Sequence, residues 1–193
     1  MINEPLLLLL FGFSGTGKTF IKTHAEEKFG FESAPKFTTR KSRETAQDKR
    51  DFIFCTSEEQ MPENTLKFVS YGNVFAIQLD EVTASFRRGK NHVLVVGDKA
   101  TVKKLKSLFP NRTQTVFVFC DRTILRARIL NGLSHARVSR WQAIEEEINN
   151  VYDCLEVCDY VINSSHAVDE TEVLLNQLFE RLTASQIMKE KQI

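Results

Sequence analysis

The apolar positions along the chain fall into two kinds of run. Leu6 to Phe11 is continuous and stops at a glycine-rich turn, which predicts a strand buried on both faces of a parallel sheet. His92 to Val96 and Thr115 to Cys120 read the same way, and Tyr160 to Ile162 predicts a last short strand. Between these runs the spacing is helical, over Lys18 to Phe29 closed by Gly30, Asp80 to Arg88 closed by Gly89, Arg122 to Leu130, Arg140 to Leu155 and Glu170 to Leu182. Strand and helix alternate, which predicts an α/β layered fold with a mostly parallel sheet. The middle of the chain is different: Phe52 to Cys55, Leu66 to Val69 and Val74 to Gln78 are short strand candidates around a Tyr71-Gly72-Asn73 turn. Without long apolar runs, this segment reads as peripheral.

Composition narrows the function classes. A chain of 193 residues with 42% hydrophobic and 26% charged residues fits one globular domain and excludes a disordered or membrane-embedded protein. Lys and Arg number 26 against 25 Asp and Glu, so a uniformly basic nucleic-acid binder is not expected either. Lys99, Lys103, Lys104 and Lys106 read as the solvated face of a helix. The four cysteines are too scattered for a disulfide framework, and Cys154 and Cys158 read as packing residues. The short run Leu6 to Phe11 has no Lys or Arg before it and runs into Gly and Lys, unlike a secretion leader. A reducing, cytoplasmic setting is the expectation.

The turn after the first strand carries the chemistry. Gly12-Phe13-Ser14-Gly15-Thr16-Gly17-Lys18-Thr19 matches G-x-x-x-x-G-K-[ST] between a strand and a helix, the context in which this pattern binds nucleotide phosphates. Glycines let backbone N–H groups curl round an anion, and the helix N-terminus adds partial positive charge. Lys18 is expected on the β and γ phosphates and the Thr19 hydroxyl on Mg²⁺, which makes ATP and Mg²⁺ the expected cofactors. Downstream, Lys36, Arg40, Lys41 and Arg43 crowd together as a candidate clamp for an acceptor phosphate.

With these motifs the chain resembles the guanylate kinase family from about Leu6 to Leu182. The resemblance rests on the phosphate loop, Thr38-Thr39-Arg40-Lys41-Ser42-Arg43-Glu44, Gly72-Asn73-Val74-Phe75 and Asp159-Tyr160-Val161-Ile162-Asn163. It implies a three-layer P-loop NTPase fold with a core (1–35, 91–130 and 146–193), a small acceptor-binding lobe (36–90) and a short helical lid (131–145). It also implies that Arg40 and Arg43 hold the acceptor phosphate with Thr39 beside them. Asn163 would lie near the adenine, and Arg128, Arg137 and Arg140 would swing over the ATP phosphates as the lid closes.

The acceptor pocket departs from the family. Counting from Gly72-Asn73, Leu66 stands where a guanine-binding Glu is kept and Ile77 where a Ser or Thr is kept; Lys36 replaces a Ser, and Phe52 and Phe75 replace phosphate-holding tyrosines. Apolar side chains there would forfeit recognition of the N1–H and N2–H₂ groups of guanine. The ribose 1,5-bisphosphate phosphokinase branch, with its V-L-V-x-G strand end like Val93-Leu94-Val95-Val96-Gly97, fits these departures, and Lys36 would then meet a second phosphate. Arg43 follows the guanylate kinase pattern instead. The expected activity is transfer of the γ-phosphate of Mg-ATP to ribose 1,5-bisphosphate. GMP as acceptor, or a catalytically weak binding module, stand as alternatives. Since a phosphate oxygen is the nucleophile, no general base is needed, and Asp98 is a candidate to orient Mg²⁺ through water. The expected partner is a small phosphorylated acceptor, with no nucleic acid or membrane, and the chain is expected to be a monomer or homodimer.

Overall fold

The computed structural model of the chain describes residues 4–131, 137–148 and 154–189. In chain order its elements are β1 (Leu7–Phe11), α1 (Lys18–Phe29), β2 (Lys36–Thr38), α2 (Ala46–Asp51), β3 (Phe52–Phe54), β4 (Thr65–Ser70), β5 (Asn73–Gln78) and α3 (Leu79–Arg87). After these come β6 (His92–Val95), α4 (Lys99–Leu108), β7 (Thr113–Phe119), α5 (Arg122–Leu130), α6 (Arg137–Ile148), β8 (Tyr160–Asn163) and α7 (Val168–Lys189).

The first sheet has the order β6-β1-β7-β8 and is parallel throughout, with Leu7 opposite both His92 and Thr113. The continuous apolar run of β1 is explained by this central place. Leu7, Leu9 and Phe11 enter one core with Val102, Leu105, Leu125 and Ile129, while Leu6, Leu8 and Leu10 enter another with Ile21, Ala25, Leu175 and Phe179. Helices α1 and α7 therefore cover one face and α4, α5 and α6 the other, the three-layer α/β arrangement expected from the alternation.

The second sheet corrects the reading of the middle segment as peripheral. Its order is β3-β2-β5-β4, with β2 parallel to β3 and antiparallel to β5. The inward residues Phe68 and Ile77 belong to the same core as Leu7 and Leu9. The β4–β5 hairpin turns at Tyr71-Gly72, both at positive φ (48° and 71°), as a tight hairpin connection between twisted strands requires. Strand β2 and helix α2 are absent from the sequence reading, because a three-residue strand has no period to detect and α2 is six residues of mostly polar composition. Thr45 caps α2 by accepting from the Asp48 amide.

Other boundaries shift. Helix α6 begins at Arg137, not Arg140, so it takes up most of the segment expected as a lid; residues 132–136 of that segment, and 149–153 of the expected helix, lie outside the described residues. Trp141 and Ile144 bury α6 in the core, and Glu145 pairs with Arg122 on α5. Helix α4 buries Val102 and Leu105 and turns Lys99 and Lys106 outward to Glu156 and Asp159, which bears out the solvated basic face. Cys154 and Cys158 pack at the edge of the core as read. Among the described residues no helix is long and apolar enough to cross a membrane.

Candidate functional site

The loop after β1 owes its shape to its glycines. Gly12 has φ +143°, and a Cβ there would lie 2.4 Å from the Val118 carbonyl oxygen, so no larger residue fits between β1 and β7. Gly17 has φ +89° and leads into α1. Phe13 and Thr16 point inward: Phe13 packs edge-on against Phe117, and Thr16, fully buried, donates from Oγ1 to the Phe13 carbonyl (2.9 Å). These two residues thus serve the loop through backbone and packing, not through exposed side chains. Lys18 donates from Nζ to the carbonyls of Gly12 (2.7 Å) and Phe13 (2.6 Å). Burial, helped by the charges of Lys36 and Arg140 and opposed by Glu147, holds the Lys18 ammonium down to about 7.

A cavity of about 460 Å³ runs from this loop to the second sheet. Gly12, Ser14, Gly15, Lys18 and Thr19 line one end, and Lys36, Arg40, Arg43, Phe52 and Phe75 the other, with Arg128 and Arg140 along the wall. Among the lining side chains, six cations face only Asp48 and Asp51, so the near-zero charge of the whole chain conceals a strongly basic cleft.

Arg40 is fixed by a two-pronged contact with Asp48, Nη1 to Oδ2 at 3.1 Å and Nη2 to Oδ1 at 2.9 Å. Its guanidinium also lies over the rings of Phe52 (4.8 Å) and Phe54 (5.7 Å). The Arg43 amide donates to the same carboxylate (2.7 Å). Burial pushes the Asp48 carboxyl up, but the Arg40 bonds, the Arg43 amide and the two guanidinium charges outweigh it and leave it below the usual carboxylate range. Arg43 and Arg140 are both pushed down, first by burial and then by neighbouring cations, the arrangement of a site that gains by receiving an anion.

Several sequence candidates lie elsewhere. Thr39 does not line the cavity; its hydroxyl accepts from the Val74 amide (3.0 Å), tying the arginine loop to β5. Leu66 and Ile77 face each other across the hairpin and withdraw into the core, so Phe68 and Ser70, farther along β4, form the wall instead. Asn163 is outside the cavity lining and accepts from the Ser165 amide (3.0 Å). Arg137 is also outside it and donates to the Leu130 carbonyl (3.2 Å). Arg128 does reach the cavity, anchored on the Ser164 carbonyl (2.8 Å). Asp98 is outside the cavity lining and caps α4, its two carboxylate oxygens accepting from the Thr101 amide (2.8 Å) and hydroxyl (2.6 Å). Thr19 is exposed on the cavity wall in the first turn of α1, and among the described residues no cluster of three acidic, His or Cys groups is poised around a metal. A Thr hydroxyl with the remaining positions supplied by nucleotide phosphates and water suits Mg²⁺, which takes few protein ligands in such sites.

Sequence reasoning missed Asp48 and Tyr71. The Thr45-x-x-Asp48 capping pattern was a local signal for the first. Tyr71, at the hairpin tip, has no local signal: its hydroxyl accepts from the Ser14 amide in the phosphate loop (3.3 Å) and donates to Glu147 Oε2 on α6 (3.0 Å). Burial, then the Glu147 charge, raises the Tyr71 hydroxyl, and burial raises the Glu147 carboxyl.

No family model matches the chain. Among curated proteins it is 31% identical over 180 residues to a guanylate kinase of Lactobacillus johnsonii, covering 85% of this chain and 86% of the relative. It is 32% identical over 175 residues to one of Lactococcus lactis (83% of each) and 26% over 191 residues to one of Helicobacter pylori (91% and 87%). Among solved structures, a guanylate kinase from Anaplasma phagocytophilum superimposes with a TM-score of 0.70 at 18% identity, over 95% of this chain and 87% of that one. A shikimate kinase from Bacteroides thetaiotaomicron follows at 0.54 and 15% identity, over 92% and 98%. At those identities the structural likeness speaks to the fold alone.

Proposed function

The chain belongs to the guanylate kinase family, an ATP- and Mg²⁺-dependent group of P-loop phosphotransferases, and on that premise we propose that it converts GMP to GDP. The observation that carries this choice over ribose 1,5-bisphosphate is the aromatic wall at the acceptor end. Phe68 and Phe75 stack 5.3 Å apart at 16°, and Phe52 stands 6.0 Å from Phe75. Flat apolar walls suit a planar base better than a sugar carrying two phosphates. The apolar residues that argued against GMP, Leu66 and Ile77, do not face the ligand space.

In this reading an ionised oxygen of the GMP phosphate, held by Arg40 and Arg43, attacks the γ-phosphorus of ATP. The new P–O bond forms as the bond to the β-phosphate oxygen breaks, and ADP leaves. Lys18, with Arg128 and Arg140 on the wall, offsets the negative charge of the transferred group. Thr19 would hold Mg²⁺, which neutralises phosphate charge when bound. The test is steady-state turnover with Mg-ATP on GMP and on ribose 1,5-bisphosphate. Turnover on GMP, abolished by Lys18→Met, is expected; turnover on ribose 1,5-bisphosphate with none on GMP would overturn the proposal.

A further inference from the structure

Lys36 is 9% exposed, and its side chain lines the acceptor end of the cavity beside Phe52, Phe68 and Phe75. Its Nζ donates to the Val95 carbonyl and lies 5.4 Å from the centre of the Phe52 ring. An ammonium has three N–H donors and no acceptor, so two donors remain beyond the Val95 bond. Burial, with Lys22 and Arg40 nearby and Asp51 opposing, holds its pKa down to about 8, so it is largely charged at neutral pH.

The two carboxylates that line the cavity are already engaged. Asp51 is held by Lys22 (2.7 Å) and by the Gln47 amide (2.6 Å). Asp48 is held by Arg40 and the Arg43 backbone. Each oxygen of both carboxylates in the cavity wall thus already accepts from a cation or an amide, which competes with any use of them for the N1–H and 2-amino groups. The wall also leaves little slack: a Cβ on Gly97 would come within 2.9 Å of both Phe68 and Ser70. The donors and acceptors of a purine divide by edge. The 6-oxo oxygen and N7 accept, whereas a 6-amino group donates.

Resting on the guanylate kinase reading, we propose that Lys36 is the base-reading residue of this enzyme. It donates to the 6-oxo oxygen and leaves the 2-amino group unread, so the acceptor class is 6-oxopurine 5′-monophosphates, IMP included. A 6-amino purine would set its donor against the Lys36 ammonium and leave a buried donor unpaired, the kind of mismatch that discriminates strongly.

Steady-state kinetics with Mg-ATP on GMP, IMP and AMP test this. The kcat/KM for IMP is expected within about tenfold of that for GMP, and that for AMP at least about 100-fold lower. Lys36→Met keeps the length and removes the donors; it should raise the KM for GMP and IMP about tenfold or more, with less effect on kcat, and narrow the gap to AMP. A larger penalty on IMP in the wild-type enzyme, which needs no variant to fold, would overturn the proposal, as would an unchanged GMP-to-AMP ratio in Lys36→Met. If none of the three nucleotides turns over while ribose 1,5-bisphosphate does, the guanylate kinase reading itself fails, a result distinct from GMP turnover without IMP turnover.

Discussion

Binding of Mg-ATP should be accompanied by uptake of a proton at Lys18, and the size of that uptake follows from the structure. The ammonium is held at about 7 against an ordinary 10.5, chiefly by burial and by the charges of Lys36 and Arg140. A depression of that size corresponds to on the order of 5 kcal/mol against the charged form. Nucleotide phosphates supply the counter-charge and reverse it, carrying the bound-state pKa back above neutrality. At pH 8 a group with a pKa near 7 is only about one-tenth protonated, so binding should take up roughly 0.9 proton; at pH 6 it should take up about 0.1. The sign for affinity is fixed by the same linkage. ATP binds the protonated form better, so affinity is full below about pH 7 and falls by up to about tenfold per pH unit above it.

The assay is calorimetric titration with Mg-ATP in buffers of different ionisation enthalpy at the two pH values, where the slope of heat against ionisation enthalpy counts protons. Lys18→Met should remove the uptake at pH 8. Near-zero uptake at pH 8, or the same uptake in the variant, would refute the assignment of the phosphate-reading charge to Lys18.

Three further outcomes follow from the geometry. Arg40→Lys loses the two-pronged bond to Asp48 and the stacking on Phe52 and Phe54; the KM for GMP should rise roughly 10- to 100-fold in steady-state kinetics while that for ATP stays close to wild type. His92 is buried and held down to about 4, mainly by burial, so between pH 6.5 and 4 the unfolded chain binds a proton that the folded chain resists. Stability should thus fall with acidification across that window, by on the order of 3 kcal/mol from this residue. Urea unfolding should show a flatter pH profile in His92→Asn, which can still meet Ser85. Tyr71→Phe removes the hydroxyl that joins the Ser14 amide to Glu147 and should cost roughly 1–2 kcal/mol in the same measurement, with no loss of secondary structure by circular dichroism.

The parts of the molecule that were legible in the sequence are those whose causes are local. The phosphate loop is eight consecutive residues, and several of its contacts, such as Lys18 to Gly12 and Thr16 to Phe13, span six residues or fewer. The all-buried β1 shows as an unbroken apolar run because both faces meet hydrophobic layers. The acceptor side has no such economy. Arg40 meets Asp48 only through the turn into α2; Tyr71 reaches Ser14 across 57 positions; and Lys36 opens a strand too short to show a period. Position counting along β4 sets Leu66 at a base-reading place of the family, whereas the cavity wall here is formed by Phe68 and Ser70 two and four residues farther on.

This difference in range also separates what each half of the site can change. The donor half is bound to the central sheet, where Gly12 is pinned against Val118 and a single added carbon has no room. The acceptor half hangs on a second sheet whose inward residues, Phe68 and Ile77, share the main core while the rest of its face lines the cavity. Apolar residues at 66 and 77 therefore strengthen the joint between the sheets and leave the arginine clamp intact. Neither side chain offers a donor or an acceptor to a base. Two charged side chains at that end are buried: Asp48 is bound to Arg40, and Lys36 donates to Val95, which ties it to the edge of the central sheet. On the proposal made for Lys36, recognition passes from groups that accept to one that donates, while the Arg40–Asp48 pair stays in place.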